Sequence, residues 1–150
     1  MKKITMSVNK EDVYNEVAKT SSYTGAKMEN DTTAYDRIFT TEEDKEILAR
    51  FWDESKDAVA GNLKKFLNKE QEEHGIYTLT LEVSSSFDDN LTASMQRSLF
   101  SFFVMSIISK WYVFTNKKEA ESFATTALGD MEDVMRKAYH KKRPTRPTYN

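Results

Sequence analysis

Proline is absent from residues 1–143 of this 150-residue chain, and that absence constrains the fold more than any other feature. Both prolines, Pro144 and Pro147, lie in the last seven residues, and the whole chain has only four glycines. Because proline and glycine are the residues that most disfavour a helix interior, a chain so poor in them favours long helices. We therefore expect a mainly α fold.

Apolar residues spaced three and four apart predict three long helices, over about 41–70, 91–114 and 117–140. The helix over 91–114 is apolar nearly all round, so we expect it to lie centrally with other elements packed on several sides. Gly129 falls inside the last helix. It either costs about 1 kcal/mol relative to alanine or permits a close contact with another helix.

Polar residues at the helix ends indicate where these helices begin and end. The first long helix begins with a capping box in which Thr40 is the N-cap and Glu43 reaches back, and Gly75 marks its end. Residues 88–90 form a loop and a cap before the second helix, because a carboxylate there complements the helix dipole. Asn116–Glu119 is a second capping box, before the last helix.

The remaining elements are short. Alternation of apolar and polar residues predicts β-strands over 3–8 and 76–83, and a shorter helix of about three turns follows Asn9. Residues 20–33 are polar and lack periodicity, which is typical of a loop. The fold class is thus mainly α: three long helices, a shorter N-terminal helix and one or two short strands.

The chain divides into one helical domain and a tail. Residues 1–140 have the size of a single domain with its own core. Residues 141–150 are basic and contain both prolines, so we expect a flexible tail.

A single strand leaves a row of backbone donors and acceptors unpaired, so the two predicted strands need partners. They could pair with each other. Alternatively, at least one of them adds to a sheet shared with a neighbouring subunit. On that second reading, the partner-binding residues of the 76–83 strand are Tyr77, Thr78, Leu79, Thr80 and Leu81.

The chemistry of catalysis is sparse in this sequence. There is no cysteine, which removes disulfides, thiolate metal sites and cysteine nucleophiles, and there are only two histidines. No glycine-rich phosphate loop, H-E-x-x-H or G-x-S-x-G is present. Glu70 and His74 are four residues apart and could touch one metal ion, but their highly charged surroundings favour a solvated helix face. We expect no catalytic residue, no cofactor and no metal.

Charge is unevenly distributed along the chain, although the net charge is only −2. Residues 41–74 hold ten acidic and six basic residues, whereas residues 134–150 hold six basic and no acidic residues. Three explanations remain open: scatter with a solubilising tail, head-to-tail self-association, or weak and salt-sensitive contact with a phosphate backbone. The tail residues concerned are Lys141, Lys142, Arg143 and Arg146.

The sequence favours a protein that does not span a membrane. The most apolar segment, 98–109, is twelve uncharged residues long, whereas a spanning helix needs about 20 apolar residues. Two lysines near the N-terminus are not followed by the apolar region of a signal peptide. We therefore expect synthesis and folding in a reducing cytoplasm.

The order of these elements resembles that of a known protein family. A long amphipathic helix with an acidic cap is followed by a strand-bearing insertion, an apolar helix ending in residues 110–114, and a last helix with a basic tail. This pattern is similar to the small helical head–tail connector, or adaptor, proteins of tailed bacteriophages and prophages, which form rings beneath the portal. Residues 23–28 and 35–40 also resemble proteins of Bacteroides-type phage structural gene clusters.

The resemblance implies a non-enzymatic virion structural protein that is made in the host cytoplasm and forms an oligomeric ring at the head–tail junction. Its partners would be further copies of itself, the portal, neighbouring head–tail or tail proteins, and DNA in the channel, contacted without sequence specificity. A different class of function remains open. The chain could be a cytosolic helical binding or regulatory module that associates with nucleic acid.

Overall fold

The fold comes from a computed structural model that describes residues 1–27 and 40–144. It is mostly helical, with four helices and one three-stranded antiparallel sheet. The elements, in chain order, are β1 (Lys2–Asn9), α1 (Lys10–Lys27), a 3-10 turn (Glu42–Asp44), α2 (Lys45–Asn62), β2 (Leu67–Glu73), β3 (Ile76–Val83), a second 3-10 turn (Asp89–Leu91), α3 (Thr92–Thr115) and α4 (Lys117–Ala138).

The sheet has the strand order β1-β3-β2, so β3 is the central strand. The two predicted strands do pair with each other, with Thr5 opposite Thr80. Alternate residues of β3 from Tyr77 to Val83 face the helices and are buried, as the alternation of the sequence predicts. The sheet therefore has one face on the core and one face towards solvent.

Helix α3 lies at the centre of the molecule, which confirms the prediction made from its apolar surface. It packs against α1, α2, α4 and β1. Trp52 of α2 and Tyr77 of β3 both contact Phe103, with ring centroids 4.7 and 5.9 Å from it. By length and composition alone, the segment Asp89–Thr115 is long and apolar enough to cross a membrane, with a mean hydropathy of 1.4 over 18 residues.

The predicted helix over 41–70 is wrong in its second half. Helix α2 ends at Asn62, and residues 67–73 form β2. The apolar spacing continues through Leu63 and Phe66, which imitates a helix, but these residues form a turn and pack on the core. Beyond Leu67, residues 68–73 have no apolar side chain to bury, and most of them are good helix formers. Pairing with β3 satisfies their backbone instead, so tertiary structure overrides propensity.

Gly75 ends no helix. It forms the two-residue turn between β2 and β3 together with His74, and both residues have positive φ, 54° for His74 and 77° for Gly75. Positive φ at both central positions is the requirement of the type I′ turn, whose twist matches that of a β-hairpin. The glycine thus acts as a hairpin residue, and the sheet has three strands where at most two were predicted.

Helix α1 is longer than predicted and equals α2 in length. Residues 20–27, predicted as part of a loop, continue the helix to Lys27, while residues 28–33 lie outside the described residues. The hydroxyls of Ser21 and Thr24 donate to backbone carbonyls three and four residues earlier. These bonds let polar residues remain in a helix that the sequence alone does not indicate.

Two of the predicted caps differ in detail. The predicted bond back to the start of the first long helix is shifted by one residue and spans the 3-10 turn, where the Asp44 carboxylate accepts from the backbone N–H of Thr41 at 2.8 Å. The side chain of Asp44 makes no capping bond to α2 itself. Asn116 makes no side-chain capping bond to α4. The predicted cap at 88–90 is confirmed, since Asp88 accepts from the N–H of Asn90 at 3.1 Å.

The two glycines Gly75 and Gly129 give a matched test of this fold. A Cβ on Gly129 would meet no atom within 4 Å, so a close helix contact does not explain this glycine. We expect Gly129→Ala to raise the free energy of unfolding by about 0.5–1 kcal/mol. A Cβ on Gly75 would also have space, 3.9 Å from Lys10, but the positive φ makes Gly75→Ala destabilising by about 1 kcal/mol.

Urea unfolding at neutral pH measures both changes. Opposite signs for the two substitutions are the expected result. Two changes of the same sign would contradict either the hairpin turn at residue 75 or the exposed helical site at residue 129.

Candidate functional site

The partner-binding residues predicted in the strand, from Tyr77 to Leu81, lie in the central strand of the sheet. β1 occupies one edge of β3 and β2 occupies the other, so β3 has no backbone edge to offer a neighbouring subunit. The side chains of Tyr77, Leu79 and Leu81 are buried in the core. The backbone of these residues is therefore not available to a strand of a neighbouring subunit, contrary to the prediction. The two edges of the sheet are β1 and β2.

The basic tail begins against the loop that follows β3. Lys141 forms an isolated β-bridge with Phe87, and the backbone N–H of Lys142 donates to the carbonyl of Ser86 at 2.7 Å. Phe87 is fully buried, so this loop is fixed to the core. The side chains of Lys141, Lys142 and Arg143 are all exposed. The fourth predicted tail residue, Arg146, lies outside the described residues.

The start of the chain reaches the same loop. The Lys2 ammonium donates to the carbonyl of Phe87 at 3.3 Å and to the carboxylate of Asp89 at 3.0 Å. Both ends of the described chain are thus attached to residues 84–89. The backbone at the start of the tail and the beginning of β1 are consequently attached to the same loop.

A polar network joins the β2–β3 hairpin to the helices. The Glu72 carboxylate accepts from the indole N–H of Trp52 at 3.0 Å and from the ammonium of Lys56, which also pairs with Asp53 at 3.1 Å. Burial alone would raise the pKa of Glu72, but the hydrogen bonds from Lys56 and Trp52 outweigh it and lower that pKa.

Glu70 lies beside this network, on the same face of β2. Its carboxylate accepts from the hydroxyl of Tyr77 at 2.5 Å. Burial raises the pKa of Tyr77, and the bond to Glu70 raises it further. Since Glu70 is in a strand and His74 in a turn, they do not share a helix face. Within residues 1–27 and 40–144, no group of three or more acidic, histidine or cysteine side chains could hold a metal ion.

An apolar groove is bounded by α2, α3 and α4, and we call it the helical groove. Its volume is about 570 Å³, and it continues into a second depression of about 310 Å³ that shares Ser109, Lys110 and Ala124 with it. The residues from α4 that line it are Ala124, Ala127, Leu128, Met131, Glu132 and Met135. Small and flexible apolar side chains of this kind permit close and adaptable contact with a partner.

Polar pairs between α2 and α3 fix the shape of the helical groove. The Lys110 ammonium is 2.7 Å from the Glu54 carboxylate, and this hydrogen bond lowers the pKa of Glu54. The buried hydroxyl of Ser55 bonds to the carbonyl of Phe51 and to the hydroxyl of Ser106, which lines the groove. These bonds hold the two helices at a fixed separation, so the groove is part of the folded structure.

The sequence analysis did not predict this groove, because the apolar spacing of α4 does not tell which of its apolar residues are covered. Leu128 is 65% exposed, and Val113 and Phe114 at the end of α3 are 55% and 69% exposed. The available signal was the width of the apolar stripe on α4, which is broader than packing against one helix requires. Both tryptophans, Trp52 and Trp111, are buried.

Replacing Glu72 tests the network that holds the hairpin. The Glu72 side chain is 27% exposed, so after solvent screening we expect Glu72→Gln to cost about 1 kcal/mol of unfolding free energy at pH 7. A carboxyl with a lowered pKa in the folded state stabilises above its unfolded pKa, near 4.5, and loses that contribution as the pH falls through the lower value. The difference between variant and wild type should therefore shrink below about pH 4.5.

Urea unfolding at several pH values provides the measurement. Glu73→Gln is the control, because Glu73 is the next residue of β2 and faces the opposite side of the sheet. Equal effects of the two substitutions, or a difference from wild type that does not depend on pH, would show that Glu72 does not stabilise the hairpin in this way.

Comparison of the chain with protein-family models, with curated proteins and with solved structures finds no match in any of the three.

Proposed function

We propose that this protein is a non-enzymatic building block that assembles into an oligomeric ring at the head–tail junction of a tailed-bacteriophage virion. The observation that carries the proposal is the helical groove, an apolar surface on which Leu128 is mostly exposed. Exposed apolar surface of this kind is typical of a contact with another protein. The specific place in a virion rests on the sequence resemblance.

Ring formation needs a contact between two different surfaces of neighbouring copies. A heterologous contact of that kind closes into a ring when the rotation between copies allows it. The helical groove supplies one such surface, and the exposed Phe114 at the end of α3 supplies an apolar side chain outside it. Attraction between the basic tail of one copy and the acidic region 41–74 of the next would favour a head-to-tail orientation.

In a virion, the rest of the surface would meet other structural proteins. The portal and the neighbouring head–tail or tail proteins are the proposed partners, and the protein would be made in the host cytoplasm before assembly. The exposed side chains of Lys141, Lys142 and Arg143 would contact acidic protein surfaces or the phosphates of DNA in the channel.

A charge placed in the helical groove tests its role in assembly. We expect Leu128→Glu to leave the monomer folded, because Leu128 is mostly exposed, and to abolish ring formation by burying an unpaired carboxylate in the contact. Thr126→Glu is the matched control, since it adds the same charge to an exposed position of α4 that does not line the groove.

Electron microscopy and light scattering of concentrated protein measure the assembly of each variant. Rings from the wild type and from Thr126→Glu, but not from Leu128→Glu, are the expected result. If the wild type forms no ring alone or with its virion neighbours, the proposed function is wrong. Equal assembly of the two variants would exclude the groove.

The tail is tested by removing residues 141–150. We expect the helical fold to remain, because the exposed side chains of Lys141–Arg143 contribute nothing to the core, and particle assembly to weaken. Changing Lys141, Lys142, Arg143 and Arg146 to glutamine should have the same effect if charge is the cause. Glutamine at four cations elsewhere, Lys19, Lys64, Lys65 and Lys118, is the control. Particles of wild-type yield from the truncated protein would disprove the role of the tail.

A cytosolic helical module that associates with nucleic acid is the second candidate. It is favoured by the exposed cations of the tail, which are fixed beside Ser86 and Phe87. Binding through phosphates would be strongly salt-dependent and independent of base sequence. Titration of the purified monomer with DNA at two salt concentrations separates the candidates. Salt-dependent binding by a protein that never forms rings would favour this module over the connector.

A further inference from the structure

The two edge strands of the sheet differ in whether they can accept another strand. Two hydrogen bonds show in which direction the N–H and C=O groups of β1 point. The N–H of Ser7 donates to the side-chain carbonyl of Gln96 at 3.3 Å, and therefore points away from β3. The N–H of Glu82, opposite Lys3, donates to Phe66 and points away from β1. Backbone direction alternates along a strand, so Lys3, Thr5 and Ser7 present their N–H and C=O groups outward.

The outer edge of β2 is protected against pairing. Its outward backbone groups belong to Glu70 and Glu72, whose side chains point towards the helices and are held there by Tyr77, Trp52 and Lys56. A register shift between Leu67 and Lys69 also interrupts the strand. Inward-pointing charges and bulges are the devices by which proteins prevent edge-to-edge pairing. A further strand is therefore not expected at β2.

Within the described residues, the outer edge of β1 is less protected. β1 pairs with β3 over its whole length without a register shift, and three of its four inward side chains, Ile4, Met6 and Val8, are apolar and buried. The fourth, Lys2, is at the end of the strand and is paired with Asp89. A cavity of about 640 Å³ lies beside the end of this strand, against Gln96 and Phe100 of α3. In the part of the chain that the structure describes, the Gln96 side chain bonds to an outward amide of β1, and this side chain is exposed and can rotate away. Its amide oxygen stands where the carbonyl of an added strand would stand.

The sequence of β1 is complementary to itself in one antiparallel register. When Thr5 lies opposite Thr5 of a second copy, Lys3 lies opposite Ser7 and Ile4 lies opposite Met6. This register places no like charges opposite each other, puts apolar side chains on the core face and gives a threonine pair on the outer face, a favourable cross-strand pair. Its three outward residues would exchange about six backbone hydrogen bonds between the two copies.

We propose that two copies of this protein pair in solution through their β1 edges, forming an antiparallel six-stranded sheet with the strand order β2-β3-β1-β1-β3-β2. The contact has two-fold symmetry, so the same residues act on both copies. It goes beyond the proposed ring, which needs a different, heterologous contact. Because the pairing involves one short strand, the interface is small and the dimer is weak.

Charge placed at the two-fold axis tests this pairing. In the dimer the two copies of residue 5 face each other at about 5.5 Å between Cα atoms, as hydrogen-bonded antiparallel pairs do. We expect Thr5→Lys or Thr5→Glu to weaken dimer formation at least about tenfold, because like charges then meet. A mixture of Thr5→Lys and Thr5→Glu chains should recover dimers, since opposite charges then meet across the axis.

Thr80→Lys is the matched control. Thr80 faces the same side of the sheet and lies directly opposite Thr5, with 3.5 Å between the two hydroxyl oxygens, but it belongs to the central strand. The two copies of residue 80 are about three strand spacings apart, or about 14 Å, which exceeds the screening length in physiological salt. We therefore expect Thr80→Lys to dimerise as the wild type does, measured by sedimentation from ~10 µM to ~1 mM.

Hydrogen exchange gives a readout that needs no substitution. The Thr5 amide points outward and should become protected as the wild-type concentration rises, whereas the Met6 amide is bonded to β3 and should be protected throughout. The same Met6 protection in the variants shows that their sheet is folded. A Thr5 amide that exchanges at the same rate at all concentrations overturns the proposal. The proposal is also overturned if Thr5→Lys and Thr80→Lys change dimer formation equally, or if the mixture of Thr5→Lys and Thr5→Glu chains does not recover dimers.

Discussion

Helix α3 determines how the neighbouring elements are arranged, because it has almost no polar face that could be exposed to solvent. A helix with apolar residues on all sides is stable only if several neighbours cover it. Here α1, α2, α4 and β1 share that task. Several serine hydroxyls on its surface bond to a covering helix or to its own backbone, as those of Ser98 and Ser101 do to Asp133 and Asp130 of α4. The helical groove is the part of this covering that α2 and α4 leave incomplete.

The features that could be predicted from the sequence are those in which a local pattern and the tertiary environment agree. The alternation from Tyr77 to Val83 corresponds to a strand with one buried face, and the all-round apolar surface of residues 91–114 corresponds to a central helix. β2 could not be predicted in this way. Its residues favour a helix locally, and only the presence of β3 and the positive-φ turn at His74 and Gly75 makes a strand the better solution.

The candidate sites were harder to predict than the fold for a related reason. In the sequence, an exposed apolar side chain such as that of Leu128 cannot be distinguished from a buried one. The groove can therefore be identified only from the positions of the helices in the structure. The basic tail was recognisable from composition, but its attachment to Ser86 and Phe87 uses backbone groups, which carry no sequence signal. Pattern analysis also indicated a strand in need of a partner. Which strand remains available depends on the order β1-β3-β2, which alternation alone cannot give.

The loop of residues 84–89 bonds to two parts of the chain that are far apart in sequence. The Lys2 ammonium and the Lys142 amide both bond to this loop, and it is fixed by the buried ring of Phe87. An uncharged aromatic residue, far in sequence from either terminus, thereby controls how the beginning of β1 and the cationic tail are placed relative to each other. Loosening that ring would change two separate surfaces in a single step, without altering a residue of either one.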